Sequence, residues 1–172
     1  MSLETLDVRD LMGQAGSTRS VRLEGTLDDL GTELAHLRET DPVQGDVLLE
    51  SLVEGILVSG RLTGTMSLNC ARCLKAFEQP FSVELHEMFV PAPEDDTDDY
   101  PLDPEGLIDP EQMVRDAVGL ELPFSPLHAS DCKGLCPVCG GDRNLDECPG
   151  EHPSTDPRWA ELDTLLQQMD QN

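Results

Sequence analysis

From Ile56 to Cys70 the chain alternates. Even positions carry Ile56, Val58, Leu62, Met66, Leu68 and Cys70, with Gly60 and Gly64 in phase. Odd positions, apart from Leu57, carry Ser59, Arg61, Thr63, Thr65, Ser67 and Asn69. A period of two is the mark of a strand with one face buried. The alternation resumes after Cys73, with Phe77, Phe81, Val83, Leu85 and Phe89 on one face and Glu78, Ser82, Glu84 and His86 on the other. These two runs predict a long antiparallel hairpin with Cys70-Ala71-Arg72-Cys73 at its tip. Gly60 and Gly64 predict a bend or bulge within it. Val47 to Val53 supplies a third strand. Shorter strand pieces fall at 21–24 and 34–37, punctuated by turns at Gly16-Ser17 and Asp28-Asp29. His36 reads as an ordinary strand residue.

The period changes after residue 108. Asp109 is placed as an N-cap, Pro110 as the first helical residue and Gln112 as a capping-box partner. Ile108 and Met113 suit a hydrophobic staple. Met113, Val114, Ala117 and Val118 share one apolar face, and Pro123 stops the helix. Between hairpin and helix, residues 91–105 are rich in proline and acid and read as a solvated linker from which no core can form. The alternative is an acidic arm that holds a basic partner. Near the end, Asp156-Pro157-Arg158 caps a second helix whose Trp159, Leu162, Leu165, Leu166 and Met169 form a stripe suited to docking on the domain.

The fold class expected is therefore α+β. It comprises an antiparallel sheet or partly open barrel with a long hairpin, one or two helices and a C-terminal metal-bound module. The expected division is residues 1–125, β-rich, with acidic loop 91–105 and helix 109–121, then a cysteine-rich module and terminal helix over 126–172.

Composition sharpens this picture in two ways. Only 38% of residues are hydrophobic and 3% aromatic, so the core is modest and gains from cross-links. Eleven Lys and Arg against 35 Asp and Glu give a formal charge of −24, which disfavours broad contact with nucleic acid or anionic lipid and favours basic partners. Solubility or adaptation to salt would explain the charge equally well. The first residues show no basic leader followed by an apolar core, and no apolar run approaches the ~20 residues of a membrane span. The expected location is the cytoplasm. There, paired cysteines more often ligate metal than form disulfides.

The six cysteines form two C-x2-C pairs, Cys70/Cys73 and Cys136/Cys139, with Cys132 and Cys148 beside them. A C-x2-C turn presents two sulfurs on one side, and zinc takes four thiolate or imidazole ligands at tetrahedral corners. In one scheme the two pairs join as a single four-cysteine site. In the other, each pair finds a local partner pair, H-x3-C at His128/Cys132 and C-x3-H at Cys148/His152. That gives Cys70, Cys73, His128 and Cys132 as one set and Cys136, Cys139, Cys148 and His152 as a second, eight ligands for two zinc ions. The second scheme uses every cysteine and is preferred, with one ion as the alternative. A redox role is disfavoured, because redox C-x2-C motifs open a helix after a buried strand. No carboxylate pair is patterned for acid–base chemistry, and a closed four-ligand site leaves no position for substrate. The expectation is a protein that is not an enzyme.

Four runs, LNCARCLKAF, GLIDPEQMVRDAVGLELPFSPLH, CKGLCPVCG and DPRWAEL, occur in the order found in the YceD family. The chain resembles that family from about Leu3 to Leu166. Its members are called large ribosomal RNA subunit accumulation proteins. The resemblance implies a bacterial cytosolic factor needed for normal levels of 23S ribosomal RNA and so for large-subunit assembly. It also implies that Cys70, Cys73, His128 and Cys132 act as a unit, since some members keep that set and lack the later module. Many members with the later module have cysteine where His128 stands and close with C-x-C. Here Gly150 takes the last of those places, and His152 is the proposed substitute.

Two partner classes follow. One is a basic large-subunit ribosomal protein or pre-ribosomal particle engaged by the acidic surface. The other is RNA, or an RNase recruited to it, met through Arg72, Lys75, Lys133 and Arg143 beside the cysteine turns. Charge balance against zinc thiolates would also explain that basic cluster.

Overall fold

The structure is a computed structural model in which residues 3–38, 40–93, 98–148, 150 and 152 are described. The chain divides into two compact units, residues 1–130 and 131–172.

The first unit is built on an open six-stranded sheet. Its strands are β2 (Thr18–Gly25), β3 (Ala35–Leu37), β4 (Val43–Ser51), β5 (Ile56–Asn69), β6 (Ala76–Val90) and β7 (Tyr100–Pro101). A separate two-stranded ribbon pairs β1 (Leu6–Asp7) with β8 (Leu107–Ile108). The strand order is β2-β4-β5-β6-β7, with β3 also paired to β5. β5 is the spine. One edge of it pairs with β4 from Ile56 to Thr63 and then with β3 from Met66 to Leu68, while β6 follows the whole of the other edge. All these pairings are antiparallel except β6 with β7. No pairing closes β2 onto β7 among the described residues, so the sheet is open and not a barrel.

The predicted hairpin is present, from Ile56 opposite Phe89 to Asn69 opposite Ala76. Its register is constant throughout, so the bulge expected at Gly60 and Gly64 does not form. The glycines serve close packing instead. A Cβ on Gly60 would lie 2.6 Å from the Asp46 carbonyl oxygen, and one on Gly64 would lie 2.6 Å from the Phe81 ring. Pro80 lies in β6 opposite Thr65, where the far edge of β6 carries no partner strand among the described residues and a missing N–H costs no pairing.

The alternation places Val43, Val47 and Leu49 of β4, Ile56, Val58, Leu62, Met66 and Leu68 of β5, and Val83, Leu85 and Phe89 of β6 in one core. The helix α1 (Glu111–Glu121) closes over it with Met113, Val114 and Val118, all fully buried. Its start differs from expectation. Pro110 is the boundary residue, in helical geometry at φ −81° and ψ −6°, and has no side-chain bond to offer. The Asp109 carboxylate still accepts the N–H of Glu111 at 3.0 Å. Gln112 closes no capping box, because its amide donates one turn onward to Asp116 at 2.8 Å.

The acidic segment also departs from the linker expectation. Tyr100 stacks on Phe89 with ring centroids 5.3 Å apart, and its hydroxyl donates to Asp116 at 3.0 Å. Leu102 is buried in the core. Between them, these two residues tie the acidic run to the sheet at Val90, whose carbonyl accepts the Leu102 N–H at 2.8 Å. The helix expected around Trp159 to Met169 lies outside the described residues.

The described residues of the second unit form an irregular loop around a short hairpin. Backbone bonds join Cys136 N–H to Gly141 O (2.9 Å) and Arg143 N–H to Gly134 O (3.1 Å), with Leu135 bridged to Asp142 between them.

Candidate metal centre

The long hairpin carries its tip far from the sheet's other end: fourteen residues of β5 span roughly 45 Å at ~3.3 Å per residue. At that tip the chain turns tightly. Leu74 N–H donates to Cys70 O at 2.8 Å, and Cys70 N–H donates to Lys75 O at 2.9 Å. The turn is also tied to the segment after α1, because Ala71 N–H donates to Pro126 O at 2.8 Å. That bond sets His128, two residues beyond Pro126, against the cysteines. The sulfurs of Cys70 and Cys73 and a ring nitrogen of His128 lie within 4.8 Å of one another, with Cys73 Sγ 3.4 Å from His128 Nδ1.

The second unit repeats this turn. Gly140 N–H donates to Cys136 O at 2.9 Å, and Cys136 N–H donates to Gly141 O at 2.9 Å. Each turn thus bonds the first cysteine's carbonyl to the residue after the second cysteine, which takes a left-handed backbone: φ is 60° at Leu74 and 73° at Gly140. The ligand atoms of Cys136, Cys139, Cys148 and His152 lie within 4.8 Å of one another, with Cys148 Sγ 3.4 Å from His152 Nε2. The first cysteine turn has a histidine at hand, and the second has a cysteine and a histidine.

Cys132 is the second residue of the second unit. It is buried, and the carboxamide of Asn144 reaches its sulfur, Nδ2 to Sγ, at 3.5 Å.

Two of the thiols, Cys70 and Cys136, are shifted toward the thiolate form. Burial pushes the Cys70 thiol up, but a hydrogen bond with the His128 ring and the backbone N–H groups of His128, Arg72 and Cys73 outweigh it and bring the value down from 9.0 to about 5. At Cys136 the N–H groups of Cys139 and Val138 are the largest influence, and the value falls from 9.0 to about 6 against burial. Cys148 moves the other way: the Gly150 N–H lowers it, but the Cys136 and Cys139 thiols and burial raise it above the ordinary value. The two shifts thus run in opposite directions within one cluster, Cys136 toward the thiolate and Cys148 toward the thiol.

Two cysteine and histidine clusters could therefore hold metal ions. Their donors are thiolate sulfur and imidazole nitrogen without carboxylate, a soft to borderline set that suits zinc and not magnesium or calcium. The spacings had marked these residues. Asn144 they had not, since an asparagine in a turn carries no metal signature of its own.

The model for the family described as "Large ribosomal RNA subunit accumulation protein YceD" matches residues 58–166. The chain belongs to the YceD family. The matched span runs from near the start of β5 past the second cluster, so both C-x2-C turns of this YceD chain fall inside it. An uncharacterized protein of Mycobacterium leprae is 37% identical over 149 residues, covering 82% of this chain and 67% of its own. The uncharacterized protein YlbN of Bacillus subtilis is 27% identical over 149 residues, 85% of this chain and 87% of its own. A protein of Arabidopsis thaliana named "Large ribosomal RNA subunit accumulation protein YCED homolog 1, chloroplastic" is 34% identical over 64 residues, 37% of this chain and 20% of its own. No solved structure matches. Among the described residues of this YceD member, no helix is long and apolar enough to cross a membrane.

Proposed function

We propose that this chain is a non-enzymatic cytoplasmic factor that supports accumulation of 23S ribosomal RNA and assembly of the large ribosomal subunit. Two zinc ions fix its shape, and its acidic surface engages a basic ribosomal component. The observation that carries this reading is membership of the YceD family by a chain whose two C-x2-C turns are built alike, each beside a histidine.

Cys70, Cys73 and His128 hold one ion, and Cys132, four residues on from His128, completes the set. The H-x3-C spacing, the burial of Cys132 and the N–H that Asn144 offers its sulfur support that assignment. Cys136, Cys139, Cys148 and His152 hold the other. Three thiolates and a neutral imidazole around Zn2+ make a closed, mildly anionic site, which structures a loop and offers no open position for substrate. In a chain with few aromatic residues the ions supply cross-links that the core lacks.

The acidic surface supports the choice of partner. Against the net charge of −24, six arginines (Arg9, Arg19, Arg22, Arg38, Arg61 and Arg115) are each held by a carboxylate of this same chain. Little cationic surface remains on the sheet to meet RNA, while the excess carboxylates suit a lysine- and arginine-rich ribosomal protein. Pull-down of purified basic ribosomal proteins at graded salt tests this. Binding falls steeply as ionic strength rises; binding unchanged at high salt contradicts an electrostatic contact.

A second reading has its own observation. Arg72 and Lys75 in the first unit and Lys133 and Arg143 in the second are exposed beside the cysteine turns, and an adaptor for RNA or an RNase would use them. Charge reversal at Arg72 and Lys133 with RNA association unchanged removes it.

A further inference from the structure

We infer that Asn144 is a positioning residue that couples the two ligand sets: it lies in the loop between Cys139 and Cys148, yet its carboxamide serves the sulfur of Cys132. This rests on the zinc reading above. The contact itself lies wholly within the second unit.

The hairpin register produces it. With Cys136 N–H on Gly141 O, Leu135 bridged to Asp142 and Arg143 N–H on Gly134 O, the next rung sets Asn144 opposite Lys133. There the side chain substitutes for backbone, and Lys133 N–H donates to Asn144 Oδ1 at 2.8 Å. With its oxygen fixed, the amide nitrogen is aimed. Nδ2 donates to Asp142 Oδ1 at 2.7 Å and reaches Cys132 Sγ at 3.5 Å. The Asp142 carboxylate also accepts the Asn144 N–H at 2.8 Å, so the carboxamide is anchored at both ends and half-buried.

An N–H aimed at sulfur stabilises the thiolate without competing for the metal, and partners of this kind hold a ligand in its rotamer. The segment that delivers it is bounded by Cys139 and Cys148, both ligands of the other ion. A metal that gathers Cys136, Cys139, Cys148 and His152 fixes residues 140–147, and with them the donor to Cys132. Such coupling is reciprocal: each ion tightens the hold on the other.

The test uses the full chain loaded with zinc and a chromophoric chelator in competition. Wild type and Leu145→Ala, a change to an exposed neighbour in the same loop, serve as references. In Asn144→Ala, one of the two ions is released at a chelator concentration lower by about tenfold or more, the scale of an outer ligand partner. Asn144→Asp keeps the oxygen that Lys133 needs but removes the donor and turns a second carboxylate oxygen toward Asp142, so the affinity falls at least as far as in Asn144→Ala. Cobalt loading supplies a readout that loop damage alone does not move: without the N–H the sulfur donates more strongly, and the sulfur-to-cobalt absorption shifts to longer wavelength. Cys148→Ala weakens the remaining ion in the wild-type background and not in Asn144→Ala. Two ions held equally tightly by wild type and both Asn144 variants, with identical cobalt spectra, overturn the inference and leave the zinc reading standing. A wild-type chain that takes up no metal overturns both.

Discussion

Leu74 stands in the first cysteine turn where Gly140 stands in the second, and both adopt the left-handed backbone, at φ 60° and 73°. For glycine that conformation is free, whereas a side chain with a Cβ loses about 1–2 kcal/mol there. Leu74 is also 62% exposed, so burial does little to offset the cost. Leu74→Gly is expected to stabilise the zinc-loaded first unit by about 0.5–1 kcal/mol, the relief of strain less the added freedom of the unfolded chain. Gly140→Ala runs the other way. No atom lies within 4 Å of the added Cβ, so the loss of about 1–2 kcal/mol comes from the backbone alone. Chelator competition on each variant reads both signs.

If each cluster holds an ion as proposed, acid is expected to release the two in order. A thiol brought below its ordinary value stabilises the thiolate form fully above pH 9. That contribution is lost as pH falls through the lowered value, about 5 at Cys70 and about 6 at Cys136. The second unit, which also holds the raised Cys148 thiol, gives up its ion first on acidification. A slow pH titration with a zinc-responsive dye shows two steps, the one at higher pH vanishing in Cys136→Ser.

The sheet leaves no room for a side chain at Gly60 without a shift of its neighbours. An added Cβ meets the Asp46 carbonyl oxygen at 2.6 Å and the Val47 Cα at 2.8 Å, both backbone, so strands β4 and β5 must part. Gly60→Ala is expected to cost about 1–3 kcal/mol, measured by denaturant unfolding of the metal-loaded chain. At Gly64 the obstacle is the Phe81 ring, which can swing, and Gly64→Ala costs less.

The acidic segment is held by its apolar residues and not by its charge. Leu102→Ala removes a buried side chain and is expected to cost about 2–4 kcal/mol. Replacing the exposed Asp98 by asparagine changes stability by less than about 0.5 kcal/mol, because its side chain lies on the surface. Thermal unfolding of the two variants separates the roles.

The hairpin was legible because its period-two alternation runs unbroken for a dozen residues, and its constant register leaves the pattern undisturbed. The cysteine turns were legible because C-x2-C spacing admits few other structures, and at the second a glycine follows the pair. What escaped the sequence depended on contacts between distant segments. Tyr100 and Leu102 are single apolar residues among acids, and only Phe89 and the core make sense of them. Gly60 and Gly64 gave the same signal as a bulge, since a strand glycine marks either a bend or a close neighbour and the neighbour lies on another strand. Gln112 satisfied a capping-box spacing, but Asp116 one turn away offered its amide a charged acceptor. Asn144 owes its place to the rung opposite Lys133, which no linear spacing encodes.

The most direct test is the metal content of the full chain purified without chelator, by elemental analysis against protein concentration. Two equivalents of zinc are expected, falling to one in Cys70→Ser/Cys73→Ser and to one in Cys136→Ser/Cys139→Ser. A single equivalent lost in both double variants would mean that the two turns share one four-cysteine site, and a folded metal-free chain with six titratable thiols would contradict the account altogether.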